Sequence, residues 1–290
     1  MRKRIVALCA LLLMVCAAQA VVLRDDRQVD VTFAKPPQRI VSLLPSLTEM
    51  VCALGQCQKL VGVDRYSNWP DSIAKLPRMG GGIDPNIESV VAVKPDLVLM
   101  ATSARGAERL TALGVTVLAF EPRSYADVQR VMRLVAQALE VPAHESERVW
   151  RQMDAGVTAA AQSMPANAKG QRVYFEVSAA PYGASEASFI GETLQRLGAH
   201  NILAASLGPF PKVNPEFVVR AQPDIIMVGD SSLVDMRTRP GWMHLRAMRT
   251  QRVCHFKPDE SDVLVRAGPR MAEAARLMAQ CLTDKAKGQP

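Results

Sequence analysis

Asn86-Ile87-Glu88-Ser89-Val90-Val91-Ala92-Val93-Lys94-Pro95-Asp96-Leu97-Val98-Leu99 returns later in the chain as Asn214-Pro215-Glu216-Phe217-Val218-Val219-Arg220-Ala221-Gln222-Pro223-Asp224-Ile225-Ile226-Met227. The two stretches align without a gap. Both run Asn-x-Glu-x-Val-Val, a short spacer, Pro-Asp and then an apolar strand. Asn suits the N-cap of a short helix, and Glu falls in its first turn, where the helix dipole favours a carboxylate. Pro stops the helix and Asp leads into a buried strand. Upstream, Gln38-Arg39-Ile40-Val41 matches Gln171-Arg172-Val173-Tyr174. The chain therefore reads as one small α/β unit used twice.

Outward from the first copy, Arg39–Leu44, Leu60–Val63, Leu97–Met100 and Val115–Phe120 read as short buried strands. A helix is expected across Leu47, Met50, Val51 and Leu54, capped by Ser46 or Thr48 and ended by Gly55. A second helix is expected over 88–93. Such alternation argues for a parallel sheet with helices on both faces. Helical periodicity then covers Tyr125–Leu139. Pro142 interrupts it, and His144–Met164 runs on, rich in good helix formers, with Gly156 its weak point. The pattern restarts with strands at 172–177, 225–228 and 251–256, a helix at 190–197 ended by Gly198, and Pro269 opening a last helix at 270–282.

The expected fold is α/β: two Rossmann-like lobes with parallel sheets, over 38–124 and 169–290, joined by connecting helices at 125–168 that include one long interlobe helix. The alternative for that helix is an ordinary surface element of one larger domain. Residues 21–37 are polar and irregular and read as a flexible leader.

The N-terminus sets the compartment. Arg2, Lys3 and Arg4 precede an apolar run from Ile5 to Ala18, which ends in Ala18-Gln19-Ala20. This is the layout of a secretory signal peptide over 1–20, cleaved near Ala20, and the run is shorter than the roughly 20 residues of a membrane span. Lipidation at Cys16 is the minor alternative, because Val15 stands where a lipobox carries a small residue. The chain has 35 Lys+Arg against 28 Asp+Glu, three of those cations in the leader, and only 5% aromatics. The mild excess is scattered, which argues against a nucleic-acid partner. Cys52, Cys57, Cys254 and Cys281 remain after cleavage; an oxidising compartment permits Cys52–Cys57 and Cys254–Cys281 bridges, and neither pairing follows from sequence.

Arg39–Glu49, with Leu43-Leu44-Pro45-Ser46-Leu47-Thr48-Glu49, is similar to the opening signature of the helical-backbone periplasmic binding proteins of ABC importers. So are Val61-Gly62-Val63-Asp64-Arg65-Tyr66-Ser67-Asn68-Trp69-Pro70 and the Val93-Lys94-Pro95-Asp96-Leu97-Val98-Leu99 core. The resemblance covers roughly 35–285. It implies two lobes bridged by one long helix, a ligand in the cleft at the strand ends, and Glu88 and Glu216 as docking residues for a permease dimer in the inner membrane. It implies a monomeric periplasmic receptor with no catalytic role and no resident cofactor. The Arg65–Pro70 segment looks most like the cobalamin branch. Tyr66, Trp69, Tyr182 and Phe210 are then expected to grip a flat ligand, with Pro45 at the cleft floor, since aromatic faces offer area at little entropic cost. Tyr182 belongs to the loop Ala179-Ala180-Pro181-Tyr182-Gly183-Ala184. Core packing is the competing reading for each, and Asn68-Trp69-Pro70 equally suits a pinned loop. Cobalamin receptors often carry further Trp where this chain reads Gly80–Asp84 and Ala101–Ala104, so haem and ferric siderophores stay open as ligands.

Gly80-Gly81-Gly82 lacks the Lys-Ser/Thr tail of a phosphate loop and suits close backbone approach. His144, His200, His244 and His255 show no metal-ligand spacing; His244, His255, Tyr66 and Tyr182 are candidate axial ligands were the substrate haem. No nucleophile elbow occurs, and an exported α/β enzyme is the weakest reading.

Overall fold

The computed structural model describes residues 20–178, 181–229 and 233–286. The leader up to residue 19, with Cys9 and Cys16, and Ala179-Ala180 of the second-lobe loop lie outside the described residues.

The stretch expected as a flexible leader is instead an antiparallel hairpin, β1 (Val21–Arg24) with β2 (Asp30–Phe33). Leu23 and Phe33 enter the core. Asp25 is buried at the turn; it accepts from the Arg27, Val29 and Ala119 amides, and its partner Arg27 reaches the Val117 carbonyl. A buried carboxylate surrounded by donors holds a turn that its charged composition disguises.

The first lobe follows: β3 (Ile40–Ser42), α1 (Pro45–Ala53), β4 (Leu60–Val63), α2 (Ile87–Ala92), β5 (Leu97–Met100), α3 (Ala107–Ala112) and β6 (Val117–Ala119). Its sheet runs β4-β3-β5-β6, all parallel. Every residue of β3, β5 and β6 is buried, as expected of strands covered on both faces. Pro45 opens α1 at its first turn; Ser46 and Thr48 do not cap it. Both are buried, and Thr48 Oγ1 instead donates to Ser42 Oγ at 2.8 Å, so the hydroxyl serves tertiary packing.

α4 (Tyr125–Ala138) starts in a capping box of Ser124 and Asp127, and α5 (Ala143–Gln162) follows after Pro142. Twenty residues give α5 a length of about 30 Å. The second lobe then contains β7 (Arg172–Ser178), β8 (Tyr182–Gly183), α6 (Phe189–Arg196), β9 (His200–Asn201), α7 (Pro215–Ala221), β10 (Ile225–Gly229), α8 (Leu233–Thr238), α9 (Arg246–Arg249), β11 (Val253–Phe256), α10 (Pro258–Leu264) and α11 (Met271–Ala286). Its sheet, β11-β10-β7-β8 with β9 beside β7, is separate from the first; only β8 runs antiparallel.

The repeat is structural. Asn86 caps α2 by accepting from the Ser89 amide, and Asn214 caps α7 by accepting from the Glu216 amide, each at 2.9 Å. Asp96 accepts from the Gln38 and Arg39 amides, and Asp224 from the Arg172 amide. Each repeat Asp thus latches its strand to the start of the neighbouring one, β5 to β3 and β10 to β7. The two sheets share a layer in which α5 packs on α4, α6 and α11. At Gly156 the α5 backbone admits α11 so closely that a Cβ would sit 2.6 Å from Ala272 Cβ. Cys52 is bonded to Cys57, and Cys254 of β11 to Cys281 of α11.

Candidate functional site

All four strands of the first sheet deliver their C-terminal ends to one face. Leu44-Pro45 follow β3, Asp64-Arg65-Tyr66 follow β4, Ala101 and Ser103 follow β5, and Glu121 follows β6; together they line a hollow of about 400 Å³. This is where open parallel sheets bind ligands. A second hollow of about 200 Å³ continues between the lobes, walled by Leu44, Glu121 and Arg123 on one side and Val177, Phe189, Phe210 and Val265 on the other. Leu44 and Glu121 belong to both, so the two hollows form one cleft.

Of the residues expected from sequence, Pro45 and Tyr66 line the larger hollow and Phe210 the smaller. Tyr66 is 59% exposed, with the Arg65 guanidinium 5.7 Å from its ring centre. Phe210 meets Phe189 edge to face at 5.9 Å. Trp69 lines neither hollow; it is half-buried, with the Arg270 guanidinium 5.2 Å from its ring centre. Tyr182 also lines neither: it is on β8 at the sheet edge, exposed, bridged to Lys212. None of the four histidines lines a hollow. Gly81 and Gly82 do, and a Cβ on Gly82 would stand 3.0 Å from the Leu43 carbonyl oxygen, so the expected close approach is to the strand-end backbone of the same lobe. Glu88 and Glu216 are exposed in the first turns of α2 and α7.

The cleft rests on buried polar supports, most of them paired across long stretches of chain. Beneath the first-lobe wall, Thr48 Oγ1 meets Ser67 Oγ at 2.9 Å, and Ser67 Oγ donates to Asp64. Asp64 also accepts from the Tyr66 amide at 3.0 Å, a turn that its spacing could have revealed. Burial pushes the Asp64 carboxyl above its usual range, against the hydrogen bonds from Ser67 and Tyr66 that favour the anion. Under the second-lobe wall, Glu176 accepts both Arg239 amino groups at 2.6 and 2.9 Å and the Tyr174 hydroxyl at 3.1 Å. Burial and the Glu176 charge push the Tyr174 phenol well up. Between the lobes, Arg266 pairs with Glu49 at 2.8 Å. Burial raises the Glu49 carboxyl, while the hydrogen bond and charge of Arg266 pull it back. Among the described residues no group of three or more His, Cys, Asp or Glu side chains is placed to hold a metal ion.

The sequence profile described as periplasmic binding protein matches residues 40–260. The chain is 29% identical over 273 residues to the uncharacterized ABC transporter substrate-binding lipoprotein YvrC of Bacillus subtilis (strain 168), covering 90% of this chain and 85% of that protein. It is 27% identical over 257 residues to a vitamin B12-binding protein of Pectobacterium carotovorum subsp. carotovorum (strain PC1), covering 87% and 91%. Among solved structures, the periplasmic heme-binding protein RhuT from Roseiflexus sp. RS-1 in apo form superposes with a TM-score of 0.71 at 27% identity, over 86% of this chain and 99% of that one. Two separate parallel sheets, a cleft at their strand ends and a profile match across both lobes give one answer: this chain belongs to the periplasmic binding protein family.

Proposed function

We propose that the protein captures a corrinoid, cobalamin, in the interlobe cleft and delivers it to an ABC importer. One observation carries the reading. The cleft leaves large apolar side chains open to solvent: Tyr66 at 59%, Ile83 at 65% and Val265 at 41% exposure all line its two hollows. Apolar groups held out at a concave site by a rigid support signal a partner that covers them. A broad, rigid, largely apolar ring system matches them, and the similarity to a vitamin B12-binding protein supports the corrinoid.

Delivery follows from the repeat. Glu88 and Glu216 are the same residue of the same motif, each exposed on a short capped helix. Two equivalent carboxylates suit a two-fold permease presenting two basic pockets. Export by the N-terminal signal, with cleavage near Ala20, places a monomeric receptor in the periplasm.

Haem is the second reading, because Tyr66 brings a phenol to the larger hollow and a heme-binding protein shares the fold. Absorbance titration of the purified protein with cyanocobalamin, haemin and a ferric siderophore separates them. Saturable cobalamin binding is expected. A shifted Soret band with no cobalamin binding overturns the corrinoid reading in favour of haem.

A further inference from the structure

The side chain of Arg266 crosses from the second lobe into the first. Its chain neighbours Val265 and Ala267 line the smaller hollow. Nη1 donates to Glu49 Oε1 and to Asn68 Oδ1, both at 2.8 Å, and Nη2 donates to the Tyr66 carbonyl at 2.9 Å. Asp262 closes the ring: its carboxylate is 2.9 Å from Arg266 Nη2 and accepts from Asn68 Nδ2 at 2.7 Å. Four residues further on, Arg270 covers Trp69. Between the two arginines, Gly268 runs against the start of α1, where a Cβ would be 3.5 Å from the Ser46 carbonyl oxygen.

Two features set this apart from a surface bridge. The Arg266 side chain is 5% exposed and that of Glu49 1%, so the pair is desolvated and its geometry is enforced. Among the described residues Glu49 Oε2 meets no hydrogen-bond partner, which leaves the arginines as the answer to its charge. The second feature is what the guanidinium holds. Tyr66 lines the larger hollow and Val265 the smaller, so a single side chain ties a wall of one to a wall of the other.

We propose that Arg266 is a positioning residue for ligand binding: it clasps the 64–70 loop of the first lobe to the second, fixing the spacing of the cleft walls, and ligand leaves when this clasp loosens. The proposal deepens the receptor reading and rests on it for the ligand alone. Asn68 is the exposed member of the clasp, so Asn68→Ala loosens it, removing the bonds to Arg266 and Asp262 without stranding a buried charge. The double variant Glu49→Met/Arg266→Met removes both buried charges together.

The test uses the full mature chain. Amide hydrogen exchange over 64–70 is measured without ligand, and cyanocobalamin binding is resolved into association and dissociation rates. Both variants are expected to exchange about tenfold faster in that loop, with α5 unchanged. Release should quicken about tenfold while association moves less than about twofold. Arg266→Lys, which keeps the charge and loses the fork, should recover only part of the wild-type release rate. Wild-type exchange in Asn68→Ala overturns the clasp, as does an affinity loss carried by association. Should the double variant fail to fold, Asn68→Ala decides. If the wild-type protein binds no cobalamin, the corrinoid reading falls, and the exchange measurement still decides the clasp.

Discussion

Lys94 and Gln222 occupy the same position of the two repeats, and both hold a left-handed backbone, with φ of 47° and 45°. Each stands between its helix and the Pro-Asp pair, with its amide bonded back into the helix at 2.9 and 3.0 Å. A side chain in this region is strained by roughly 1–2 kcal/mol relative to glycine. Lys94→Gly and Gln222→Gly should each stabilise the protein by up to about 1 kcal/mol after the added freedom of the unfolded chain is set against the gain. Urea unfolding of the single variants checks this, and the two effects should match.

Tyr66 and Phe210 should govern affinity. Each lines a hollow, and loss of a buried aromatic face is worth about 1.5–3 kcal/mol, so alanine at either should weaken cobalamin binding at least about tenfold. Trp69→Ala should do the reverse. With Arg270 stacked on its ring and neither hollow against it, its loss should cost stability more than affinity. Titration and thermal melts on the three variants separate the roles.

Docking through the repeat predicts a selective defect. Glu88→Lys with Glu216→Lys should leave cobalamin affinity at the wild-type value, because both side chains are exposed. Uptake through the cognate importer should be abolished. Exposed ion pairs contribute only about 0–1 kcal/mol each, so either single reversal should reduce uptake less than the double. Uptake assays in cells carrying the importer decide it.

The start of α4 predicts an acid limb. Desolvation would raise the Asp127 carboxyl, but hydrogen bonds from Ser124, Arg130 and the Arg123 and Ser124 amides outweigh it and hold the group below its usual value. A carboxyl held low contributes stability that is full above its unfolded value of 3.8 and is lost as pH falls through the folded one. Asp127→Asn should therefore make stability below pH 3.8 fall less steeply than in wild type. Ser124→Ala should cost about 1 kcal/mol near neutral pH and less in acid, where the Asp127 carboxyl that accepts its hydroxyl is protonated.

The two disulfides should differ in weight. Cys254 and Cys281 are 27 residues apart, Cys52 and Cys57 only 5. Loop-closure entropy assigns about 3.5 kcal/mol to the first and about 2 kcal/mol to the second. Serine pairs at each bridge, compared by denaturation, should rank in that order.

Much of this was legible in the chain. Strands such as Leu97–Met100 are unbroken apolar runs, and the Asn…Pro-Asp repeat set both the lobe count and the helix stops. The hairpin at Val21–Phe33 was not, because its strands are four residues long and its turn is charged; what fixes that turn is Asp25 reaching the Ala119 amide far along the chain. Ser46 and Thr48 matched a cap by composition, yet Thr48 turned inward to Ser42 and Ser67. Among the cleft residues, Pro45, Tyr66 and Phe210 were found by the family pattern. Glu121 was not, because its partners Thr102 and Ser103 come from the neighbouring strand end; nor were Glu49 and Arg266, which support the cleft from behind and meet only once both lobes are assembled. Composition also does not encode which aromatic faces the cavity, so Trp69 and Tyr66 looked alike.

Position 156 reaches further than its place on a remote helix suggests. A side chain there would crowd Ala272 on the last helix, and that helix begins just after the 266–270 segment, whose Arg266 holds the Tyr66 backbone at the cleft wall. A mutation at this glycine would retune how firmly cargo is gripped while leaving each atom that touches it chemically unaltered. Natural variants that differ in retention are thus to be sought along the spine as well as in the mouth.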